Sequence, residues 1–356
     1  MSEILEENMA KMNLELKSLE NLPEEIILKI LGQVNIRDLV RCSFANKKIR
    51  KIAHDKSLWE KMNLCSDIDV PAELFSKLLE KGCEYLSIPL ISAVKGTARF
   101  EKNSELKYMS FHVSKSTNCL PEFAASCHGL EKLTVFCVDI DQSGFDQLFK
   151  CFIQNSSTLK VLSIVNCQIM SYESMRLIVT LCQGLTDLNI WGTSISQKTM
   201  DFFCANLTIG IKKLDISGQP TFGDDQLKTL VTRCKTVTEL AFVDTNVSDD
   251  SVDLIIQNLS QTLTKLKVSD SNFSFPNLLK IGSMPNLKFL HVLDLPTNEK
   301  EELIKTLPHL SDSKRKKGCK RSTNDCFCDS LCIAFPNKTC AYGMANWKME
   351  SKLRYY

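Results

Sequence analysis

An apolar–x–x–apolar–x–apolar pattern recurs along the middle of the chain in strict register. It opens at Leu159, Leu185, Ile211, Val237 and Leu263, each 26 residues after the one before. The copies read Leu159, Leu162, Ile164; Leu185, Leu188, Ile190; Ile211, Leu214, Ile216; Val237, Leu240, Phe242; and Leu263, Leu266, Val268. Looser copies open at Cys83, Leu106, Leu130 and Leu287. Alternation at the end of each copy predicts a short strand whose successive side chains face opposite sides. Apolar residues at helical spacing follow, as in Met175, Ile178 and Leu181, in Leu227, Leu230 and Val231, and in Val252, Ile255, Ile256 and Leu259. The inward leucines and these helical faces then share one continuous core.

A repeat of this length and motif is the signature of leucine-rich repeats. The fold class is therefore α/β, a right-handed solenoid with a parallel concave sheet and convex helices. Such a solenoid offers a long binding surface and no built-in chemistry. About nine repeats fill residues 83–310. Residues 18–64 have another texture. Pro23 suits the first turn of a helix carrying Ile26, Ile27, Ile30 and Leu31. Gly32 ends it; a second helix carries Leu39, Val40 and Phe44, and a third begins near Lys47, before Trp59. Asp69 and Pro71 open a helical connection over 65–82, so this small domain and the solenoid are expected to form one rigid arm. Residues 1–17 read as a flexible tail, and 311–356 as a basic tail rich in cysteine.

The 44 Lys and Arg against 42 Asp and Glu give a net charge of +2, with no overall pull toward nucleic acid. The acidic opening residues lack the basic and apolar regions of a secretory signal, and no apolar run is long enough for a bilayer, so a soluble intracellular protein is expected. Of the 16 cysteines, Cys127, Cys182 and Cys234 each stand three residues before the first apolar position of a repeat, where they read as small buried hydrophobes with free thiols. The spacings of Cys319, Cys326, Cys328, Cys332 and Cys340 do not make paired zinc hooks, and eight ligands for a RING are not there. His54, His112, His128, His291 and His309 fall in different elements with no metal-type spacing. Neither a catalytic constellation nor a metal or cofactor site is expected.

The small domain is similar to the F-box family. Leu19-Glu-Asn-Leu22-Pro23-Glu-Glu25-Ile26 matches its opening helix, and Leu39-Val-Arg-Cys-Ser43 and Asp55-Lys-Ser-Leu58-Trp59 match later segments. The family's tryptophan falls at Ile49. The last repeat, Leu278 to Leu290 and then Leu303 to Leu310, resembles the S-phase kinase-associated type of F-box/leucine-rich-repeat protein. The resemblance implies a non-catalytic substrate receptor of a Skp–cullin–F-box ubiquitin ligase. Its F-box would dock a Skp-family adaptor through Leu22, Pro23, Ile26, Ile30, Leu39 and Val40, and through it a cullin–RING scaffold. It also implies a protein substrate (phosphorylated, with a Cks accessory subunit); the charge balance and the lack of an apolar span point to neither nucleic acid nor membrane as partner, and residence in nucleus and cytoplasm is expected. The alternative is a leucine-rich scaffold or inhibitor whose N-terminal helices only cap the solenoid.

The repeat geometry proposes its own receptor surface. The outward position after the third core residue holds His112, Phe136, Val165, Trp191, Ser217, Val243, Ser269 and Leu293. An apolar stripe at Phe136, Val165, Trp191 and Val243 is expected to bind substrate, unless the chain's own tail covers it. Polar and charged residues of mixed sign at Lys132, Asp187, Asn189, Lys213, Asp215, Lys265 and Lys267 read as a polar rim, with Lys265 and Lys267 placed to meet an acidic group and His291 counted with them in the substrate-binding face. Lys314, Arg315, Lys316 and Lys317 open a basic run read as a nuclear import signal.

Overall fold

The computed structural model describes residues 19–34, 36–64, 72–88, 105–113, 120–137, 142–155, 157–167, 170–269, 272–307 and 310. Its spine is one parallel sheet of strands β1 Lys61–Asn63, β2 Tyr85–Ile88, β3 Tyr108–Val113, β4 Lys132–Cys137, β5 Val161–Val165, β6 Asp187–Asn189, β7 Lys213–Asp215, β8 Glu239–Ala241, β9 Lys265–Ser269 and β10 Phe289–Leu293, paired in chain order. Parallel neighbours need a crossover, and a helix supplies it between β4 and each later strand to β10. The fold is the expected α/β solenoid.

Register follows the repeat. Met62, Leu86, Met109, Leu133, Leu162, Leu188, Leu214, Leu240 and Leu266 form one lateral row, all buried. Each such side chain contributes roughly 1.5–3 kcal/mol by leaving water. Cys127, Cys182 and Cys234 are buried free thiols, and burial pushes the Cys127 and Cys182 thiols up to about 12. Helix starts are set by side-chain caps: Ser171 accepts from the Ser174 N–H and Ser196 from the Thr199 N–H. In the helix Tyr172–Leu181 the expected inward face fails at its last turn, where Cys182 takes the buried place and Leu181 turns to solvent.

The strand-to-loop turns use left-handed backbone at one repeated position, just after the outward stripe: Asn166, Gly192, Gly218, Asp244 and Asp294 all have positive φ. Asn, Asp and Gly are the residues that tolerate this conformation.

The N-terminal domain has α1 Glu24–Leu31, α2 Ile36–Cys42 and α3 Lys47–Ala53, the last capped by Asn46, whose side chain accepts from the Ile49 N–H at 2.8 Å. Ile27, Leu31, Ile36, Leu39, Ile49, Ile52 and Trp59 are buried together, and Trp59 donates its indole N–H to the Ala53 carbonyl at 2.8 Å. Ile49 thus fills a core place. β1 belongs to this domain by sequence and to the sheet by hydrogen bonding, so the two parts share one core rather than meeting at a hinge. The expected connecting helix runs Ala72–Glu80; Asp69 and Pro71 lie outside the described residues. Among the described residues no helix is long and apolar enough to cross a membrane.

Candidate functional site

Two surfaces qualify. The first is on the helical domain. An amphipathic helix normally turns its apolar residues inward, yet α1 buries Ile27 and Leu31 while leaving Ile26 40% and Ile30 38% exposed. Leu19 and Val40 are comparably exposed, and Phe44 stands 74% in solvent. Five large apolar side chains on so small a domain exceed what scattered surface hydrophobics explain. Pro23 is exposed, and Leu22 is half-buried with its carbonyl held by Lys48 Nζ at 2.8 Å. Leu39 differs from the expectation: it is only 3% exposed, because α2 turns it into the core against α1 and α3, and Val40 and Phe44 take the outward places. Leu19 and Phe44 were absent from the sequence-derived surface; Leu19 precedes the helix, and Phe44 follows the end of α2, where helical spacing no longer assigns a face.

The second surface is the concave face. Its stripe is in register as expected, with His112, Phe136 and Val165 opposite one another and the Trp191 carbonyl accepting from the Asn166 N–H beside Val165. It is not uniformly open. Phe136 and Trp191 are half-buried, but Val165 is 7% and Val243 3% exposed. Val165 lies laterally between Phe136 and Trp191 in the row, with neighbours of such a row about 4.8 Å apart. Val165 and Val243 are therefore core-like, and the accessible apolar groups are the two aromatics.

The rim is organised as an ion ladder. Lys213 Nζ lies 3.5 Å from an Asp187 oxygen and 3.8 Å from a Glu239 oxygen, and Lys265 Nζ lies 3.1 Å from Glu239. Lys265 is thus engaged within the protein rather than held out for an incoming anion. Lys267, one step up the strand, is half-buried between Ala241 and His291, and the His291 ring stacks on Phe289 with centroids 6.2 Å apart. Behind the ladder, burial raises the Asp215 carboxyl above the usual carboxylate range, against the pull of the Ser217 hydrogen bonds and of Lys267.

Toward the other end the same outward row holds Lys61, Tyr85, Tyr108 and Lys132 in register. Tyr85 and Tyr108 stack with centroids 4.3 Å apart and planes 8° from parallel, and Lys61 Nζ lies 5.0 Å from the Tyr85 centroid. The tyrosines were missed because the first repeats are irregularly spaced; aligning Tyr85 and Tyr108 with Lys132 would have found them. Lys314, Arg315, Lys316 and Lys317 lie outside the described residues. Among the described residues no group of three or more His, Cys, Asp or Glu is placed to hold a metal.

A parallel leucine-rich solenoid entered through a three-helix domain with an exposed apolar face defines an F-box/leucine-rich-repeat protein. Residues 19–65 match the F-box-like family model, and residues 73–319 match that of the SKP2 LRR domain. The chain belongs to the SKP2-type LRR family. Among solved structures it is similar to a chain of the yeast Rad7–Elc1 complex, with 11% identity, 86% of this chain and 90% of that one covered, and a TM-score of 0.40. It is also similar to a chain of the TLR13–ssRNA13 complex, with 13% identity, 64% and 41% covered, and a TM-score of 0.34.

Proposed function

We propose that this protein is the substrate-receptor subunit of a Skp–cullin–F-box ubiquitin ligase. It docks the adaptor through the exposed face of α1 and α2 and holds a protein substrate on the concave sheet. The observation that carries the reading is the set of outward Ile26, Ile30, Val40 and Phe44. A domain that merely capped the solenoid would have no use for them. The shared core of helical domain and sheet supports it further, because a stiff arm holds a substrate lysine near the transferring enzyme and raises its effective concentration there. The receptor itself supplies no catalytic group. Its substrates are regulatory proteins, including cell-cycle proteins, presented for degradation in nucleus and cytoplasm; phosphorylated substrates would use a Cks accessory subunit.

Co-purification with a Skp-family adaptor tests this directly. The wild-type chain should form a stable complex and Ile26→Asp with Ile30→Asp should not; failure of the wild-type chain to bind would refute the reading.

A further inference from the structure

Among the described strand residues, one polar side-chain atom is buried with nothing to bond, the hydroxyl of Ser163 on β5. Leu162 and Ile164 turn into the core, so Ser163 between them points to the concave side. It is only 4% exposed. A hydroxyl taken from water without a hydrogen bond in return is destabilising, and native structures seldom keep one that has no use. Its surroundings form a recess. Thr134 on β4 and Asn189 on β6 flank it in the same lateral row, each about 4.8 Å away. The floor is set low: Thr134 and Val165 are 2% and 7% exposed, while the adjoining Asn189 and Trp191 are half-buried.

The recess has defined donors and acceptors. Asn189 Oδ1 accepts from the Trp191 N–H at 2.9 Å, which leaves the carboxamide NH2, with its two donors, turned away from that backbone. Ser163 Oγ can both donate and accept. The charges nearby are already answered. Asp187 lies 3.5 Å from Lys213 and accepts from the Thr186 hydroxyl at 2.6 Å; Lys213 is shared with Glu239 at 3.8 Å. Lys132, two positions along β4 from Thr134, likewise has a partner of its own. One strand beyond Asn189 in the row stands the buried carboxyl of Asp215.

We infer that this recess is a specificity pocket for one uncharged carboxamide side chain, of glutamine or asparagine, on the protein held by the concave face. Its oxygen would accept from Asn189 Nδ2 and its nitrogen donate to Ser163 Oγ, with its methylene stem along the Trp191 ring. Only a group that is both donor and acceptor uses both residues. A cation would face the Asn189 donors with one hydroxyl to accept from it. A carboxylate would leave water to stand beside Asp187 and Asp215, with Lys213 and Lys132 already engaged. A main-chain peptide is too broad for a floor set below its neighbours, whereas a side chain enters end-on. The inference deepens the receptor reading and rests on it.

The test is fluorescence anisotropy with the full-length chain and four labelled peptides of one alternating leucine–serine sequence, whose central residue is glutamine, asparagine, glutamate or methionine. The better carboxamide peptide should bind about tenfold more tightly than the methionine peptide, which has a similar shape but not the hydrogen bonds, and more tightly than the glutamate peptide. Ser163→Ala and Asn189→Asp should each erase most of that preference. Asn189→Asp keeps the oxygen that accepts from the Trp191 N–H, so the turn stays while the two donors go. Ser163→Ala should leave the thermal midpoint unchanged or raise it, because the hydroxyl it removes bonds nothing; a hydroxyl of purely structural use would lower it. If Asn189→Asp fails to fold, Ser163→Ala decides. Equal affinity for the carboxamide and methionine peptides, glutamate bound as well as either carboxamide, or a preference that survives Ser163→Ala overturns the proposal. So does a rise of about tenfold or more in carboxamide-peptide affinity on deleting residues 311–356, whose Asn324, Asn337 or Asn346 would then be the occupant. Adaptor pull-down on the same proteins separates the readings: adaptor binding without a carboxamide preference refutes the pocket alone, and the preference without adaptor binding refutes the receptor assignment alone.

Discussion

The carboxamide of Asn166 fills the space into which a side chain at Gly192 would project. The two residues occupy equivalent left-handed turns in successive repeats, at φ 56° and 64°. Each turn also reaches into the next repeat: the Asn166 N–H donates to the Trp191 carbonyl at 2.9 Å, and the Gly192 N–H to the Ser217 carbonyl at 3.0 Å. Gly192→Ala should therefore cost about 1–3 kcal/mol, from the strained backbone and the collision together. Asn166→Ala removes the collision, so the double variant should lose less than the sum of the singles. Additive losses in urea titrations would mean that the turns do not communicate.

The outward stripe should separate into two kinds of residue. Val165→Ala and Val243→Ala remove buried side chains and are expected to lower stability by about 1–3 kcal/mol, with receptor function per folded molecule unchanged. Trp191 is half-buried and flanks Val165, so Trp191→Ala should show a smaller stability loss and a larger loss of substrate ubiquitination. Thermal midpoints measured beside a ubiquitination assay decide it; the opposite ranking would place the receptor surface elsewhere.

This division shows what periodicity can and cannot carry. Leu162, Leu188, Leu214 and Leu240 recur every 26 residues because the backbone does, so strands, core and turns were legible from spacing alone. Whether an outward residue is open depends on neighbours a full repeat away in sequence. Val165 lies between two rings while Trp191 has Ser217 on its far side, and no local pattern records that difference. Lys265 read as available for the same reason, since its partner Glu239 stands on the preceding strand. In the F-box, the family resemblance named Ile26, Ile30 and Leu39 alike; the first two stand in solvent, whereas Leu39 is buried, because the short α2 packs by a tertiary contact its own sequence does not specify.

Asp215 should give the solenoid a measurable pH dependence. Burial raises its folded carboxyl above the ordinary value of 3.8, so the native state holds this proton more tightly than the unfolded chain does. Its contribution therefore favours folding at acid pH and is lost as pH rises from 3.8 through the raised folded value. Asp215→Asn should raise the thermal midpoint by a few degrees at neutral pH, with the gain vanishing toward the acid limit. Melting curves at acid and neutral pH would show this; a variant less stable at both would mean that the charged carboxylate's bonds to Ser217 and Lys267 outweigh its burial.

The helical domain allows binding and folding to be separated within one short segment. Ile26 and Ile30 stand about 100° around α1 from the buried Ile27 and Leu31, and they contribute less to the core because they are partly in water. Ile26→Asp with Ile30→Asp should leave the circular dichroism and thermal midpoint close to those of the parent while abolishing adaptor binding, since two charges would then be buried in an apolar interface. Leu39→Ala should do the reverse. It leaves a cavity in the core of the domain and costs about 2–5 kcal/mol, yet the outward face of the domain is unaltered. Adaptor affinity corrected for the folded fraction should then be near the parental value. Phe44 supplies the sharpest contrast, because it is the most exposed large apolar side chain of the domain and its removal disturbs no packing. Phe44→Ala should weaken the adaptor complex by about 2 kcal/mol or more if the residue is an interface anchor, with stability unchanged. Normal adaptor binding by both the α1 double variant and Phe44→Ala would show that this face is not the docking surface.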